Sequence, residues 1–475
     1  MIFNSIAFLI FFPVFLAAYF STRGRLRLWV MLAASLFFYG WWDWRYLFLL
    51  IASVFINYFA ALRMEATQDA SRRRLLITIT CALNLTILGF FKYFDFFIAS
   101  AHALGERLGV NLPIHTLGIV LPIGISFYTF HAMSYTIDVY RREFKADPDP
   151  VRVLTFVAFF PQLVAGPIVR GSELLPQLRR DQRPSWEAMQ SGMQLVLLGF
   201  FKKVVVADSC APAVNNIFAE PDLHSSINLL VGVYFYAMQI YCDFSGYSDI
   251  AIGIARIMGF ELPKNFDKPY FSASFSEFWT RWHITLSRWL RDYLYIPLGG
   301  NRRGPLFTFR NLLITMFLGG LWHGANWTFV AWGLLHGLYL VLQRLLGPPF
   351  IRLTESLRIP KPVVRVFLVL LVFHLTCLAW VFFRSPDFAT ALTILKRIAT
   401  AGTWNPLSIR GLQETARAVG LAGVLITCEL VALRYPITPL LRRHTWLRVI
   451  GAAFLIVAIL VLGNFAGQSF IYFQF

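Results

Sequence analysis

The chain holds nine histidines, and two of them stand where an ionisable side chain is costly. His323 lies in Leu318-Gly319-Gly320-Leu321-Trp322-His323-Gly324-Ala325-Asn326-Trp327, at the end of an apolar run. Ionisable groups within membrane spans are rare and are functional candidates by default. A neutral imidazole there can take a proton from a hydroxyl during acyl transfer. A structural hydrogen bond between two helices is the competing use. The flanking glycines let a second backbone or a ligand approach closely. Trp327 closes the segment and is a substrate-binding candidate. His283 is the second candidate, set between Arg281 and Arg288. With Arg291, these arginines suit the phosphates of a cytoplasmic donor, because guanidinium matches phosphate oxygens two at a time. Lipid headgroups offer the same chemistry. A third segment, Gln239-Ile240-Tyr241-Cys242-Asp243-Phe244-Ser245-Gly246-Tyr247-Ser248-Asp249, puts two carboxylates into apolar surroundings. Gly246 suggests a break in the helix, and broken backbone at membrane depth is tolerated only along a cavity or inside protein. Asp243 and Asp249 can orient a histidine or pair with an arginine, and they join the substrate-binding candidates.

Other chemistries find little support. Cys81, Cys210, Cys242, Cys377 and Cys428 form no CxxC pair and no His/Cys spacing of the metal-binding kind. Neither a metal nor a disulfide framework is expected. No GxSxG elbow occurs, which argues against a serine hydrolase of that type. His131 lies four residues before Tyr135, so the two can meet on one helix face. A packed or hydrogen-bonded structural role is expected for His131, and the same for His336 and His374.

The elements that must position these residues are membrane helices. Of 475 residues, 57% are hydrophobic and 14% charged, where a soluble domain has roughly 25% charged. Aromatics reach 17%, with 14 Trp, as suits anchoring at two bilayer interfaces. The net charge is +18. A nucleic-acid partner does not fit so apolar a chain; basic cytoplasmic loops account for the excess, and part of it can meet an anionic substrate. Apolar runs of spanning length fall at 3–20, 28–43, 46–62, 75–99, 116–138, 190–207, 227–255, 309–323, 326–343, 363–383, 415–433 and 447–465. The first lacks a positive n-region and reads as a retained span. An all-α, polytopic fold of about 12 spans is expected, with 153–168 and 275–298 as re-entrant or interfacial elements. No repeat or soluble domain is evident, so residues 1–475 read as a single domain.

Basic clusters at Arg23, Arg25 and Arg27, at Arg63 and Arg72 to Arg74, at Arg141, Arg142, Lys145 and Arg152, and at Arg170, Arg179, Arg180 and Arg183 mark cytoplasmic loops. They place both termini outside. Lys202, Lys203 and the basic loop 384–414 disagree with that parity. Within 275–293, Phe275, Phe278, Trp279, Trp282, Leu286, Trp289, Leu290 and Tyr293 recur at helical spacing, opposite Arg281, Arg288 and Arg291. One continuous interfacial helix on the cytoplasmic side is expected. His323 then lies about 13 residues beyond Arg310, roughly 20 Å into a core of roughly 30 Å.

Phe278-Trp279-Thr280-Arg281-Trp282-His283-Ile284-Thr285-Leu286-Ser287, with Trp289 to Gly300, resembles the signature of the membrane-bound O-acyltransferase family. Gly319 to Trp327 resembles its second, histidine-bearing motif, and Asp243 to Asp249 a block of its bacterial branch. The similarity runs nearly end to end, to Tyr472-Phe473-Gln474-Phe475. Cys242 departs from it, where an aromatic residue is expected. The resemblance implies a helical bundle around a central tunnel in the bacterial cytoplasmic (inner) membrane. It implies His323 as the catalytic histidine and His283 as the second motif histidine, with acetyl-CoA as donor and no permanently bound cofactor. It also implies an extracytoplasmic esterase-like acetyltransferase partner, polysaccharide secretion machinery and membrane lipids as partners, with the acetyl group destined for an exported polysaccharide such as alginate. The aromatic C-terminus is expected to dock that partner. From a different class, a polysaccharide or lipid-intermediate flippase with a histidine proton relay competes, although no repeat suggests two alternating halves. A non-catalytic scaffold is a third reading.

Overall fold

The structure, a computed structural model, describes residues 1–110, 112, 114–400, 412–435, 444–465 and 470–471. The expectations for Tyr472 to Phe475 and for Arg410 lie outside the described residues. Helices in chain order are α1 (Ile6–Ser21), α2 (Gly24–Gly40), α3 (Tyr46–Ala66), α4 (Ala70–Arg107), α5 (Ile125–Tyr140), α6 (Pro150–Ala158), α7 (Phe160–Leu163), α8 (Gly171–Leu178), α9 (Trp186–Phe200) and α10 (Asp208–Ala219). There follow α11 (Ser226–Ile257), α12 (Phe275–Arg281), α13 (Ile284–Leu290), α14 (Pro305–His323), α15 (Trp327–Ser356), α16 (Lys361–Arg384), α17 (Phe388–Thr400), α18 (Leu412–Arg434) and α19 (Thr445–Leu462). No strand occurs among the described residues. Six of these helices, α3, α4, α11, α15, α16 and α19, are long and apolar enough to cross a membrane. The all-α, multi-pass fold therefore stands, while the count of twelve is not confirmed. Several expected spans are short, such as α2 with 17 residues and α5 with 16. The stretch 153–168 forms two short helices, α6 and α7, as its interrupted pattern suggested.

Chain contacts divide into two compact units, Met1–Val196 with Ile250–Pro263, and Leu197–Asp249 with Lys264–Phe475. In the first, basic residues of the expected cytoplasmic loops close helix ends. Arg27 Nε donates to the carbonyls of Tyr19 (3.1 Å) and Thr22 (2.9 Å) at the end of α1. Arg73 donates to Val139 and Tyr140 at the end of α5 (2.9 and 2.7 Å) and also to Met64 at the end of α3. A cation suits the negative end of a helix dipole. One arginine reaching two C-termini means that α3 and α5 finish together, as alternating spans predict. Between the helices, Ser53, Asn57, Asn84 and Thr136 form a buried hydrogen-bonded network joining α3, α4 and α5. Such side-chain bonds are a common glue where no water competes.

In the second unit, α9 runs into a π-helical stretch, Phe201–Ala207, and on into α10. Lys202 and Lys203 sit on this stretch, both buried. They are not loop charges, and this removes their conflict with the expected parity. Helix α11 continues unbroken through Gly246. A Cβ there would stand 2.7 Å from the Gly199 carbonyl oxygen, so the glycine permits close backbone approach rather than a break. The expected single helix over 275–293 is in fact broken between α12 and α13. Its aromatic face meets protein rather than lipid, with Phe278, Trp282 and Leu286 almost fully buried.

Candidate functional site

His323 is the last residue of α14, and Gly324 to Asn326 turn the chain directly into α15. Asn326 caps α15 by accepting from Thr328 N (3.0 Å). The two helices touch backbone to backbone. A Cβ at Gly320 would stand 2.3 Å from the Phe329 carbonyl oxygen, and one at Gly333 2.3 Å from that of Met316. A Cβ at Gly324 would enter the Phe329 ring at 2.1 Å. Small residues here bring the hairpin together and hold His323, only 4% exposed, in an aromatic frame. Its ring lies edge-on to Trp332 (4.9 Å between centroids), Phe383 (5.2 Å) and Trp322 (5.0 Å).

His283 joins α12 to α13 in a left-handed backbone conformation, φ 41°, which is uncommon for any residue but glycine and is a mark of functional sites. It is fully buried. Asn265 fixes the corner: its Oδ1 accepts from Thr285 Oγ1 (2.9 Å) and Thr285 N (3.3 Å), and its carbonyl accepts from Ile284 N (2.9 Å). The same Oδ1 lies 3.1 Å from His283 Nδ1. An amide oxygen only accepts, so Nδ1 carries the hydrogen and the neutral ring has its lone pair on Nε2. His283 lies outside the spanning helices, and burial pushes its pKa down to about 3; the ring is neutral at ordinary pH. Trp322 stands between the two histidines, 5.9 Å from the His283 ring and 5.0 Å from that of His323.

Beside α14 lies a cavity of about 390 Å³. Ile284, Leu290 and Met316 give it an apolar interior, and the exposed Arg288, Arg291 and Arg344 edge it. Leu312 and Met316 lie on the α14 face that continues through Gly319 to His323. Seven residues separate Met316 from His323, two turns or roughly 10 Å. Of the three expected arginines, two line this cavity. Arg291 is also held by Asp292 (2.6 Å), whereas Arg288 makes no ion pair among the described residues. Arg281 is engaged elsewhere, 2.8 Å from Glu277, a carboxylate it shares with Arg365 at 3.4 Å.

Asp243 and Asp249 meet neither a histidine nor an arginine. Asp243 lies 2.5 Å from Lys203 Nζ, which is also 2.9 Å from Asp208; Asp249 lies 2.7 Å from Lys202 Nζ. Asp243 Oδ2 further accepts from Ile471 N (2.8 Å). Trp327, half exposed, opens α15 and does not line the cavity. Sequence reasoning missed Lys203 as a partner, Asn265, and Arg344. The first had a signal, since a lysine pair deep in an apolar run asks for buried carboxylates. The other two had none, because their neighbours come from distant segments.

The model of the membrane-bound O-acyltransferase (MBOAT) family matches residues 126–384. A probable alginate O-acetylase, AlgI, of Azotobacter vinelandii is 40% identical over 91% of this chain and 84% of its own length. The peptidoglycan O-acetyltransferase of Helicobacter pylori is 38% identical over 83% of this chain and 79% of its own. A teichoic acid D-alanyltransferase of Streptococcus thermophilus is 31% identical over 46% of this chain and 56% of its own.

Proposed function

Because this chain belongs to the membrane-bound O-acyltransferase family, we propose that it is the acetyl-transferring subunit of a system that O-acetylates an exported polysaccharide. It is an acyltransferase and a multi-pass membrane protein, and our reading sets it in the bacterial inner membrane with residues 1–475 acting as one domain. The donor is acetyl-CoA, presented from the cytoplasm. Arg288, Arg291 and Arg344 bind its phosphates, and the thioester enters the apolar interior of the cavity toward His323. The observation that carries this is the cavity itself: basic at its edge, apolar inside, and two helical turns short of a buried histidine.

In the transfer step, an acceptor hydroxyl attacks the acetyl carbonyl. His323, neutral in its aromatic frame, takes the hydroxyl proton as the new C–O bond forms and the C–S bond breaks. Trp332, Phe383 and Trp322 exclude water that would hydrolyse the thioester, and they fix the imidazole plane. His283 acts as the second histidine, with its lone pair set by Asn265. The acetyl group then passes to an extracytoplasmic esterase-like partner, which places it on the polymer beside the secretion machinery. The relatives' names point to alginate, peptidoglycan and teichoic acid as polymers of this kind.

Polymer-bound acetate in cells expressing wild type or His323→Ala, at membrane levels matched by immunoblot, tests this reading. We expect a loss of about 100-fold or more, the size of a general-base contribution. Retained acetate at a normal protein level would refute the assignment of His323.

A further inference from the structure

One face of α15 links the cavity to His323. Trp332, His336, Leu340 and Arg344 recur every four residues and stand one above another on the helix. Leu340 and Arg344 line the cavity. Trp332 touches His323, with 4.9 Å between ring centroids. His336 stands between them, one turn from each. It is fully buried. Its ring stacks on Phe278 at 5.8 Å and meets Trp279, Trp332 and Tyr339 at 5.1, 4.9 and 5.7 Å. Trp279 also lines the cavity, so a single indole separates the imidazole from that space.

Neither ring nitrogen of His336 has a hydrogen-bond partner within the protein. A packed, hydrogen-bonded structural histidine would have one. A phenyl ring would fill this cage without burying two polar nitrogens, and an unpaired buried polar group is unfavourable. Packing therefore explains an aromatic ring at this position but not an imidazole. What imidazole adds is the capacity to accept a proton at one nitrogen and release one from the other.

We propose that His336 returns the transferred proton from His323 to the sulfur that leaves the donor. The inference rests on the acyl-transfer reading above. In that step the hydroxyl oxygen bonds the acetyl carbon, the C–S bonding pair leaves on sulfur, and the hydroxyl proton resides on His323. The thiolate, in an apolar cavity, needs that proton. Bridging water carries it from His323 to one nitrogen of His336; the other nitrogen gives up its own proton, through water, to sulfur. Thiol, acetylated acceptor and two neutral imidazoles result, with the His336 tautomer reversed. His336 touches no reacting atom, so it is a relay acting through His323.

The test is thiol release from acetyl-CoA by the purified full-length chain, comparing wild type, H336F and His323→Ala. We expect H336F to melt at or above the wild-type temperature. Its kcat should fall about 100-fold with KM within about twofold of wild type. Its residual rate should rise with imidazole buffer, which can carry protons across a severed path. Wild-type kcat in H336F would overturn the relay, as would a fall in kcat that tracks lost thermal stability and ignores buffer. Should H336F not reach the membrane, H336Q, which forms hydrogen bonds but carries no proton at this pH, gives the same two outcomes. His323→Ala keeps the two readings apart. If it is inactive while H336F is normal, only the relay falls; if it too is normal, acyl transfer at His323 falls with it.

Discussion

Around the π-helical stretch Phe201–Ala207, every buried charge meets an opposite one. Lys203 is shared by Asp208 and Asp243, Lys202 is paired with Asp249, and Tyr241 donates to Glu429 at 2.5 Å. Around α15, in the same unit, polar groups are held by packing alone. Both nitrogens of His336, the indole nitrogens of Trp279 and Trp332 and the Tyr339 hydroxyl have no hydrogen-bond partner in the protein, and Arg288 and Arg344 make no ion pair among the described residues. The two regions bury similar chemistry to different ends. Charges that neutralise one another fix where helices cross. Polar atoms held by stacked rings keep their bonding capacity for something that arrives.

Mutating the ion-pair network gives the largest expected effect on folding. Lys203→Met leaves two buried carboxylates facing no cation, and breaking a buried pair typically costs about 3–5 kcal/mol. The variant should vanish from the membrane fraction or melt far below wild type in detergent, while whatever folds should transfer acetate at the normal rate per molecule. Lys202→Met strands one carboxylate rather than two, and its pair is less enclosed, with side chains 10% and 21% exposed; it should lose less. A Lys203→Met protein that accumulates normally yet transfers nothing would break the comparison and return Asp243 to the substrate.

Much of this was legible before the structure. The glycines around His323 announced a close helical turn, and a histidine at the end of an apolar run announced a site. Charge at helix ends gave the alternation that Arg73 confirms by bonding the ends of α3 and α5 together. Other features were misread for a physical reason. Periodicity reports which residues share a face but is blind to a single left-handed residue, so His283 broke a helix that the aromatic spacing presented as continuous. A glycine is equally consistent with a break and with close packing, and at Gly246 the neighbour that decides, Gly199, lies on another helix. His336 and Arg344 carry no local signal. Their meaning depends on α12 and α14, which the sequence places 50 or more and 20 or more residues away.

The smallest expected effects separate the arginines, and they test whether the unpaired set is the one that meets the donor. Arg288→Ala and Arg344→Ala should each raise KM for acetyl-CoA about tenfold with kcat little changed, the loss expected when one charge-assisted hydrogen bond to phosphate goes. Arg291→Ala should raise it less, because Asp292 already shares that guanidinium. Arg281→Ala should leave KM at the wild-type value: its guanidinium is committed to Glu277 and it does not line the cavity. The measurement is thiol release across a range of acetyl-CoA concentrations, with all four proteins at equal folded amounts. Sequence proximity to His283 ranks Arg281 first, whereas the structure ranks Arg344 above it despite 61 residues of separation from His283. Equal KM shifts for Arg281→Ala and Arg344→Ala would mean that diffuse positive charge, rather than this cavity, gathers the donor.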